Sequence, residues 1–361
     1  MFHTSDITAL VTAGDKFLGR CIVQRLLERG NTVHIFAPER CPELENQGAT
    51  CHTGDICNYA DLASTCRGID TVFHTQELAR LAMPRDAYFR VNARGTANVI
   101  RACVENKVSR LIHTSTPRVV CGKASGGLCG VDESAPYPLK YDGAYPASKA
   151  VAEKMALAAN GWEMVVPKSP GAKDPDNLVD TTIKRLATCA IRPHLMWGPG
   201  ECCFMPWLIA QARKKGLWQI GDGLNKVQMT YVDNAAKAHI LASDHLRPGS
   251  HLDGKAIFIA DGSPVKLWDW LNDILSRCDL PSIDKAMSYP NARRLGFFWG
   301  FIHRLQLSKH TPKMTPYVAS VLYESCFTDN ARAHSILGYR PDIKRENGAQ
   351  KLAEWIKSEL L

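Results

Sequence analysis

The sequence predicts an α/β protein: a doubly wound parallel sheet with a smaller C-terminal lobe that shapes a substrate pocket. Two observations predict the sheet. Short apolar runs alternate with stretches of helical periodicity through the first 193 residues, the order expected when helices cross over between parallel strands. A glycine-containing turn joins the first of these strands to the first helix, as in Rossmann-type dinucleotide-binding folds. A third observation concerns the chemistry. Tyr145-Pro146-Ala147-Ser148-Lys149 places a phenol and an ammonium four residues apart on one face of a helical run.

Taken in order, residues 7–11 are strand-like, and 18–29 carry Leu18, Ile22, Val23 and Leu26 at helical spacing. Residues 32–36 form a second strand, 60–67 a short helix, and 71–74 a third strand. A long helix follows over 87–106, then a fourth strand over 111–114. Helix resumes after Tyr145, and 186–192 is a further strand. Residues 161–182, rich in Pro, Lys and Asp and without periodicity, read as an inserted surface loop. The dinucleotide-binding domain is therefore assigned to 1–193, with 225–260 returning to it. Residues 194–224 and 261–361, aromatic and Pro-rich, form the substrate lobe.

Composition narrows the class. The chain has 361 residues, 45% hydrophobic and 22% charged, as in ordinary globular proteins. The net charge of +8 is dispersed. Its densest basic clusters, Arg213-Lys214-Lys215 and Arg293-Arg294, are too short for a nucleic-acid footprint. The 13 cysteines include no CxxC pair, so they read as reduced, mostly buried small hydrophobes of a cytoplasmic protein. No metal-ligand spacing occurs, and no metal site is expected. No apolar run approaches the ~20 residues of a membrane span. Residues 295–305 are short, aromatic and flanked by arginines, open to core packing, a greasy pocket wall or peripheral contact with a membrane interface.

The turn reads Thr12-Ala13-Gly14-Asp15-Lys16-Phe17-Leu18-Gly19. In a dinucleotide fold such a turn sets the pyrophosphate on a helix N-terminus. Gly14 and Gly19 are in place, but Ala13 and Lys16 stand where glycine is usual. Lys16 adds bulk, and its charge partly compensates against phosphate. At the end of the second strand Ala37 replaces the carboxylate that would hold an adenosine ribose hydroxyl, and Arg40 can accept a 2′-phosphate. That leans toward NADP. Asp55, followed by Ile56, is placed for adenine contact, or caps a turn. A lysine beside Tyr145 is expected to lower the phenol pKa and make it a usable acid or base.

With these motifs assembled, the chain resembles the extended short-chain dehydrogenase/reductases. Within them it is similar to the 3β-hydroxysteroid dehydrogenase/isomerase branch, closest to family 42E of short-chain dehydrogenases. The residues that carry the resemblance are Phe17-Leu18-Gly19, Gly54-Asp55-Ile56, Val72-Phe73-His74, 91–100, 114–120, Tyr145 to Lys149, 189–193, 197–201 and 231–239. The resemblance implies that Tyr145 exchanges the substrate hydroxyl proton. Lys149 would hold the nicotinamide ribose, and Thr116, with Ser115 as fallback, would bond the reacting oxygen. It implies Thr12, Gly14, Gly19, Arg40, Asp55, Ile56, His74, Asn92, Lys149 and Pro193 as cofactor contacts, and NAD as the cofactor by family habit. Asn92 is either structural or part of a proton relay. A homodimer and peripheral attachment to the endoplasmic reticulum are family expectations.

The function implied is hydride transfer between NAD(P) and a lipophilic, 3β-hydroxysteroid-like alcohol, with or without a Δ5–Δ4 double-bond shift. Two alternatives stay open: another reaction of the superfamily, epimerisation or ketone reduction, and a degenerate member that binds a ligand or partner. The departures Ala13, Lys16, Ala37 and Gln76 support the last.

Overall fold

The computed structural model describes residues 7–80, 83–122, 126–167, 181–214, 216–304 and 314–361. Seven strands form one parallel sheet: β1 (Thr8–Thr12), β2 (Thr32–Ala37), β3 (Thr50–Thr53), β4 (Thr71–His74), β5 (Arg110–Thr114), β6 (Ala187–Pro193) and β7 (Lys255–Ile259). Their spatial order is 3-2-1-4-5-6-7. The chain winds outward from β1 to β3, then returns to lay β4 on the other side of β1. That reversal opens a crevice at the carboxyl ends of β1 and β4, where such sheets take ligands. Register brings Thr12 beside both Phe36 and His74, and Thr114 beside Ile191.

Alternation along β1 explains the two covered faces. Ala9 and Val11 join a core with Ile35, Ile191 and Ile257, covered by α1 (Phe17–Glu28) through Leu18, Ile22, Val23 and Leu26. Leu10 points the other way, into a core with Val72 and Leu111. Val99, Ile100 and Cys103 of α2 (Gly95–Glu105) and Ala156 of α3 (Ala144–Ala158) cover it. Both faces being apolar is what a buried parallel sheet requires. A further helix, α4 (Val232–His245), packs beside α1. The third core lies in the lobe, around Trp197, Trp268, Trp270 and Leu352. Trp197 meets Tyr231 and Trp270 edge-on, at 5.1 and 5.4 Å between ring centroids.

Several expectations need correction. The segment read as a loop over 161–182 begins and ends as an antiparallel hairpin, Glu163–Pro167 against Thr181–Arg185; residues 168–180 lie outside the described residues. The helix expected over 87–106 is interrupted by a π-helical turn, Phe89–Arg94. β3 is a strand the sequence hides, because Thr-Cys-His-Thr at a sheet edge shows no apolar alternation. Gly127–Val131, between β5 and α3, leaves the main sheet and pairs with Ser325–Thr328 of the lobe.

The aromatic segment lies in the helix Tyr289–Arg304 and turns outward: Leu295, Phe297, Phe298 and Phe301 are exposed, while residue 305 falls outside the described residues. Gly296 faces the next helix so closely that a Cβ there would sit 2.7 Å from the Pro316 nitrogen, so one side of the helix is pinned and the aromatic side stays free. No helix among the described residues is long and apolar enough to cross a membrane.

Candidate active site

The turn after β1 keeps its shape despite its altered glycines. Ala13 adopts φ +52°, the left-handed region, and donates its N–H to the Phe36 carbonyl at 2.8 Å. That costs an alanine about 1 kcal/mol relative to glycine but leaves the turn intact. Lys16 has ordinary extended backbone (φ −103°, ψ 159°), so nothing in its conformation requires glycine. Gly19 has no such freedom. A Cβ there would lie 2.2 Å from the Ala13 carbonyl oxygen, so only glycine lets α1 start this close to the turn. Lys16, the N-cap residue of α1, makes no side-chain cap bond, and no acidic residue sits in the first turn of the helix. Its free N–H groups and positive dipole end are thus available to an anion, with the exposed, Asp15-paired Lys16 ammonium beside them. The cradle fits a dinucleotide pyrophosphate.

The adenosine end is less as expected. Arg40 is an exposed side chain bound to Glu45 through Nη2 at 2.8 Å and Nε at 3.2 Å, so the guanidinium invoked for a 2′-phosphate already has a carboxylate partner. Asp55 Oδ1 accepts from Cys57 N at 2.9 Å, which is the turn-capping role. Ile56 is buried under Gly95, where a Cβ would meet it at 3.1 Å.

Thr12, His74 and Asn92 do not present free side chains to a cofactor. Thr12 Oγ1 accepts from the N–H groups of Thr75 and Gln76, both at 3.1 Å, so its hydrogen goes to His74 Nδ1 at 2.9 Å. His74 must then donate from Nε2 to Thr96 Oγ1, 2.9 Å away, which donates to the Asn92 carbonyl. Burial pushes His74 down to about 3, consistent with this neutral tautomer. Asn92 Oδ1 holds Leu78 N at 2.7 Å, and its Nδ2 donates to Ser148 Oγ at 2.9 Å. The three residues form a buried frame that ties the loop after β4 to the turn on one side and to α3 on the other. The structure favours the structural role for Asn92.

That frame holds Glu77, the residue the sequence reading missed. Its Oε2 accepts from Tyr145 Oη at 3.2 Å and lies 2.9 Å from Lys149 Nζ. Lys149 is buried and also donates to the Thr114 carbonyl at 2.7 Å. Tyr145 and Lys149 are therefore brought together as expected, but through a carboxylate. The expected lowering of the Tyr145 pKa is overturned: burial first, then Glu77, hold the phenol well above its usual value. The available signal was position, since Glu77 follows the carboxyl end of a strand beside the crevice.

Thr116 begins a short 3₁₀ turn, its Oγ1 accepting from Arg118 N at 3.4 Å, which leaves its hydrogen free to donate. Ser115 Oγ is buried and has no hydrogen-bond partner among the described residues. Both hydroxyls follow β5, and Pro193 ends β6 two strands from β4. Behind Lys149, Glu153 of α3 binds Arg192 of β6 in two parallel bonds, 2.6 and 2.8 Å, fully buried. This pair fixes the helix to the sheet.

The surroundings of Tyr145 are aromatic. Tyr88 and Tyr317 flank Tyr145 with ring centroids at 6.2 and 6.1 Å. Tyr317 comes from the lobe helix Pro316–Tyr323 and packs against Gly143, where a Cβ would meet the ring at 3.0 Å. A cavity of about 10 Å³, room for one water, lies between Pro146, Tyr317, Arg118 and Glu324. Arg118 and Glu324 are paired across it at 2.9 Å.

A profile of the 3-beta hydroxysteroid dehydrogenase/isomerase family matches residues 10–288. The chain belongs to this family. Its members are NAD(P)-dependent oxidoreductases acting on CH–OH groups. A 2-alkyl-3-oxoalkanoate reductase of Stenotrophomonas maltophilia is 36% identical over 345 residues, covering 95% of this chain and 97% of that protein. The sterol-4-alpha-carboxylate 3-dehydrogenase, decarboxylating, of Mus musculus is 31% identical over 97% of this chain and 92% of its own length. Among solved structures, MoeE5 in complex with UDP-glucose and NAD superposes with a TM-score of 0.68 at 22% identity, covering 98% of this chain and 99% of its own. That likeness concerns the fold.

Proposed function

We propose that this protein transfers hydride between a nicotinamide dinucleotide and the secondary alcohol or ketone of a neutral, lipophilic substrate of 3-hydroxysteroid type. The observation that carries this is the Tyr145–Glu77–Lys149 cluster beyond the carboxyl end of β4, with the rings of Tyr88 and Tyr317 against Tyr145 and the Thr116 hydroxyl on the loop after β5. The nicotinamide supplies the redox chemistry. Tyr145 carries the proton exchanged with the substrate oxygen, Thr116 donates a hydrogen bond to that oxygen, and Lys149 holds ribose hydroxyls. The proposed reaction is hydride transfer without a double-bond shift.

The non-catalytic alternative loses its ground, because Ala13 and Lys16 are accommodated in a turn that still offers α1 to an anion. A second reading, reduction of a 2-alkyl-3-oxoalkanoate, is favoured by the 36% identical relative. Arg118 distinguishes the two. A 3-oxo acid needs a cation for its carboxylate, and the arginine beside the Tyr145 helix is already neutralised by Glu324. Purified protein is to be assayed by nicotinamide absorbance with a 3β-hydroxysteroid, its 3-ketone and a 2-alkyl-3-oxoalkanoate. Turnover of the steroid pair, abolished in Tyr145→Phe, is expected. Turnover of the oxo acid alone supports the second reading, and an active Tyr145→Phe refutes the mechanism.

A further inference from the structure

Lys149 is usually thought of as the charge that activates a neighbouring tyrosine. Here the group in contact with the phenol is an anion. Glu77 Oε2 is shared between Tyr145 Oη, 3.2 Å away, and Lys149 Nζ, 2.9 Å away. Ionising Tyr145 would set a phenolate oxygen against a carboxylate oxygen at hydrogen-bond distance, which like charges resist.

The carboxylate is not there by the chance of a loose loop. Gln76, just before it, is tied by its N–H to Thr12 Oγ1, and Leu78, just after it, by its N–H to Asn92 Oδ1. Both anchors belong to the buried frame beneath the crevice, so the backbone on each side of Glu77 is fixed.

We propose that Glu77 is a positioning residue: it cancels the Lys149 charge at the Tyr145 oxygen and keeps the phenol protonated, so that the site works as a proton donor to a bound carbonyl. The inference rests on the hydride-transfer reading and adds the direction for which the site is set. In reduction, the Tyr145 Oη–H turns from Glu77 to the bound carbonyl and gives its proton to that oxygen as the carbon gains the hydride of the reduced nicotinamide, and the phenolate so formed takes a proton from water, leaving hydroxide to the solvent. Reduction starts from the protonated phenol, whereas oxidation starts from the phenolate, so Glu77 moves the onset of oxidation to higher pH.

Among the described residues, the other groups that act on Tyr145 and Lys149 do not supply the missing positive charge. On the substrate side the neighbours are the phenols Tyr88 and Tyr317. Cys203, which feels the Glu77 charge, is a thiol pushed up, chiefly by Cys202 and burial. His74, His113 and His239 feel the Lys149 charge and are all held neutral by burial.

The test replaces Glu77 by Gln, which keeps the shape and removes the charge. Two readouts are taken: the alkaline limb of the reductive pH–rate profile, and the ionisation of Tyr145 followed as tyrosinate absorbance by difference from Tyr145→Phe. In Glu77→Gln both are expected to move down by about 1–3 pH units, and oxidation to begin at lower pH. Glu77→Asp, which retains the charge, is expected to restore most of the wild-type profile. Superposable profiles and unchanged Tyr145 ionisation in Glu77→Gln overturn the proposal while leaving the enzyme reading intact. An active Tyr145→Phe overturns that reading instead. If Glu77→Gln does not fold, Glu77→Ala is read in its place: a lowered Tyr145 ionisation and alkaline limb support the role of Glu77, and unchanged values overturn it.

Discussion

Replacing Gly19 by alanine probes the cofactor turn most directly. The new Cβ would lie 2.2 Å from the Ala13 carbonyl oxygen, 2.8 Å from its carbonyl carbon and 2.9 Å from Gly14 Cα. All three are backbone atoms, so no rotamer can yield. Ordinary carbon–oxygen contact would require α1 to withdraw from the turn by about 1 Å in a close-packed interior. Overpacking of this kind costs about 1–3 kcal/mol. For a chain of 361 residues, about 2 kcal/mol lowers Tm by about 3 °C. The binding consequence is larger. The same movement carries the first N–H groups of α1 away from the pyrophosphate site, and dinucleotide affinity is expected to fall about 10- to 100-fold. The assay is nicotinamide fluorescence on titration with NADH and NADPH, with a thermal melt on the same samples. Gly14→Ala is the control, because the nearest atoms to its Cβ would be side-chain atoms of Ile35 and Val23, at 3.0 Å, rather than backbone. A Gly19→Ala variant with wild-type affinity would refute the reasoning that α1 forms the phosphate cradle.

Glu153→Ala leaves the Arg192 guanidinium buried without its carboxylate and is expected to cost about 3–5 kcal/mol in urea denaturation, whereas Glu153→Leu with Arg192→Met recovers most of it; a single-variant loss under about 1 kcal/mol would contradict the assignment. Acid should unfold the protein early. Burial lowers His74 and His194 to about 3, His239 to about 4 and His113 well below its normal value. Below about pH 6.5 the unfolded chain binds protons that the folded chain refuses, so stability falls with pH, by about 2 kcal/mol per histidine at pH 5. A flat stability profile from pH 7 to 5 would count against four neutral buried imidazoles. Finally, Phe297 and Phe301, 59% and 62% exposed, are expected to seat the helix Tyr289–Arg304 on phosphatidylcholine vesicles. Phe297→Asp with Phe301→Asp should abolish cosedimentation without changing the melt, and a wild-type protein that stays in the supernatant refutes the contact.

Much of this was legible because it is local. The alternation of Ala9, Leu10 and Val11 announces a strand with two buried faces, and Leu18, Ile22, Val23 and Leu26 announce the helix above it. Tyr145 and Lys149 declare themselves by four-residue spacing on α3. β3 stayed hidden because its pairing to β2, not its own pattern, makes it a strand. What the side chains of Thr12 and His74 bind stayed hidden for a related reason. Their positions at strand ends are visible in the sequence, but whether a side chain there faces a ligand or a neighbour depends on what packs beneath it.

The sequence by itself determined the parallel α/β class, the dinucleotide turn and the presence of a tyrosine–lysine pair, because each follows from periodicity or short spacing along the chain. Only the tertiary structure decided the electrostatics of that pair. Glu77 lies 68 residues from Tyr145 along the chain and reaches it only because Thr12 and Asn92, from different elements, pin the loop between them. The sign of the charge beside a phenol is a property of what surrounds it in space, which no spacing along the chain records.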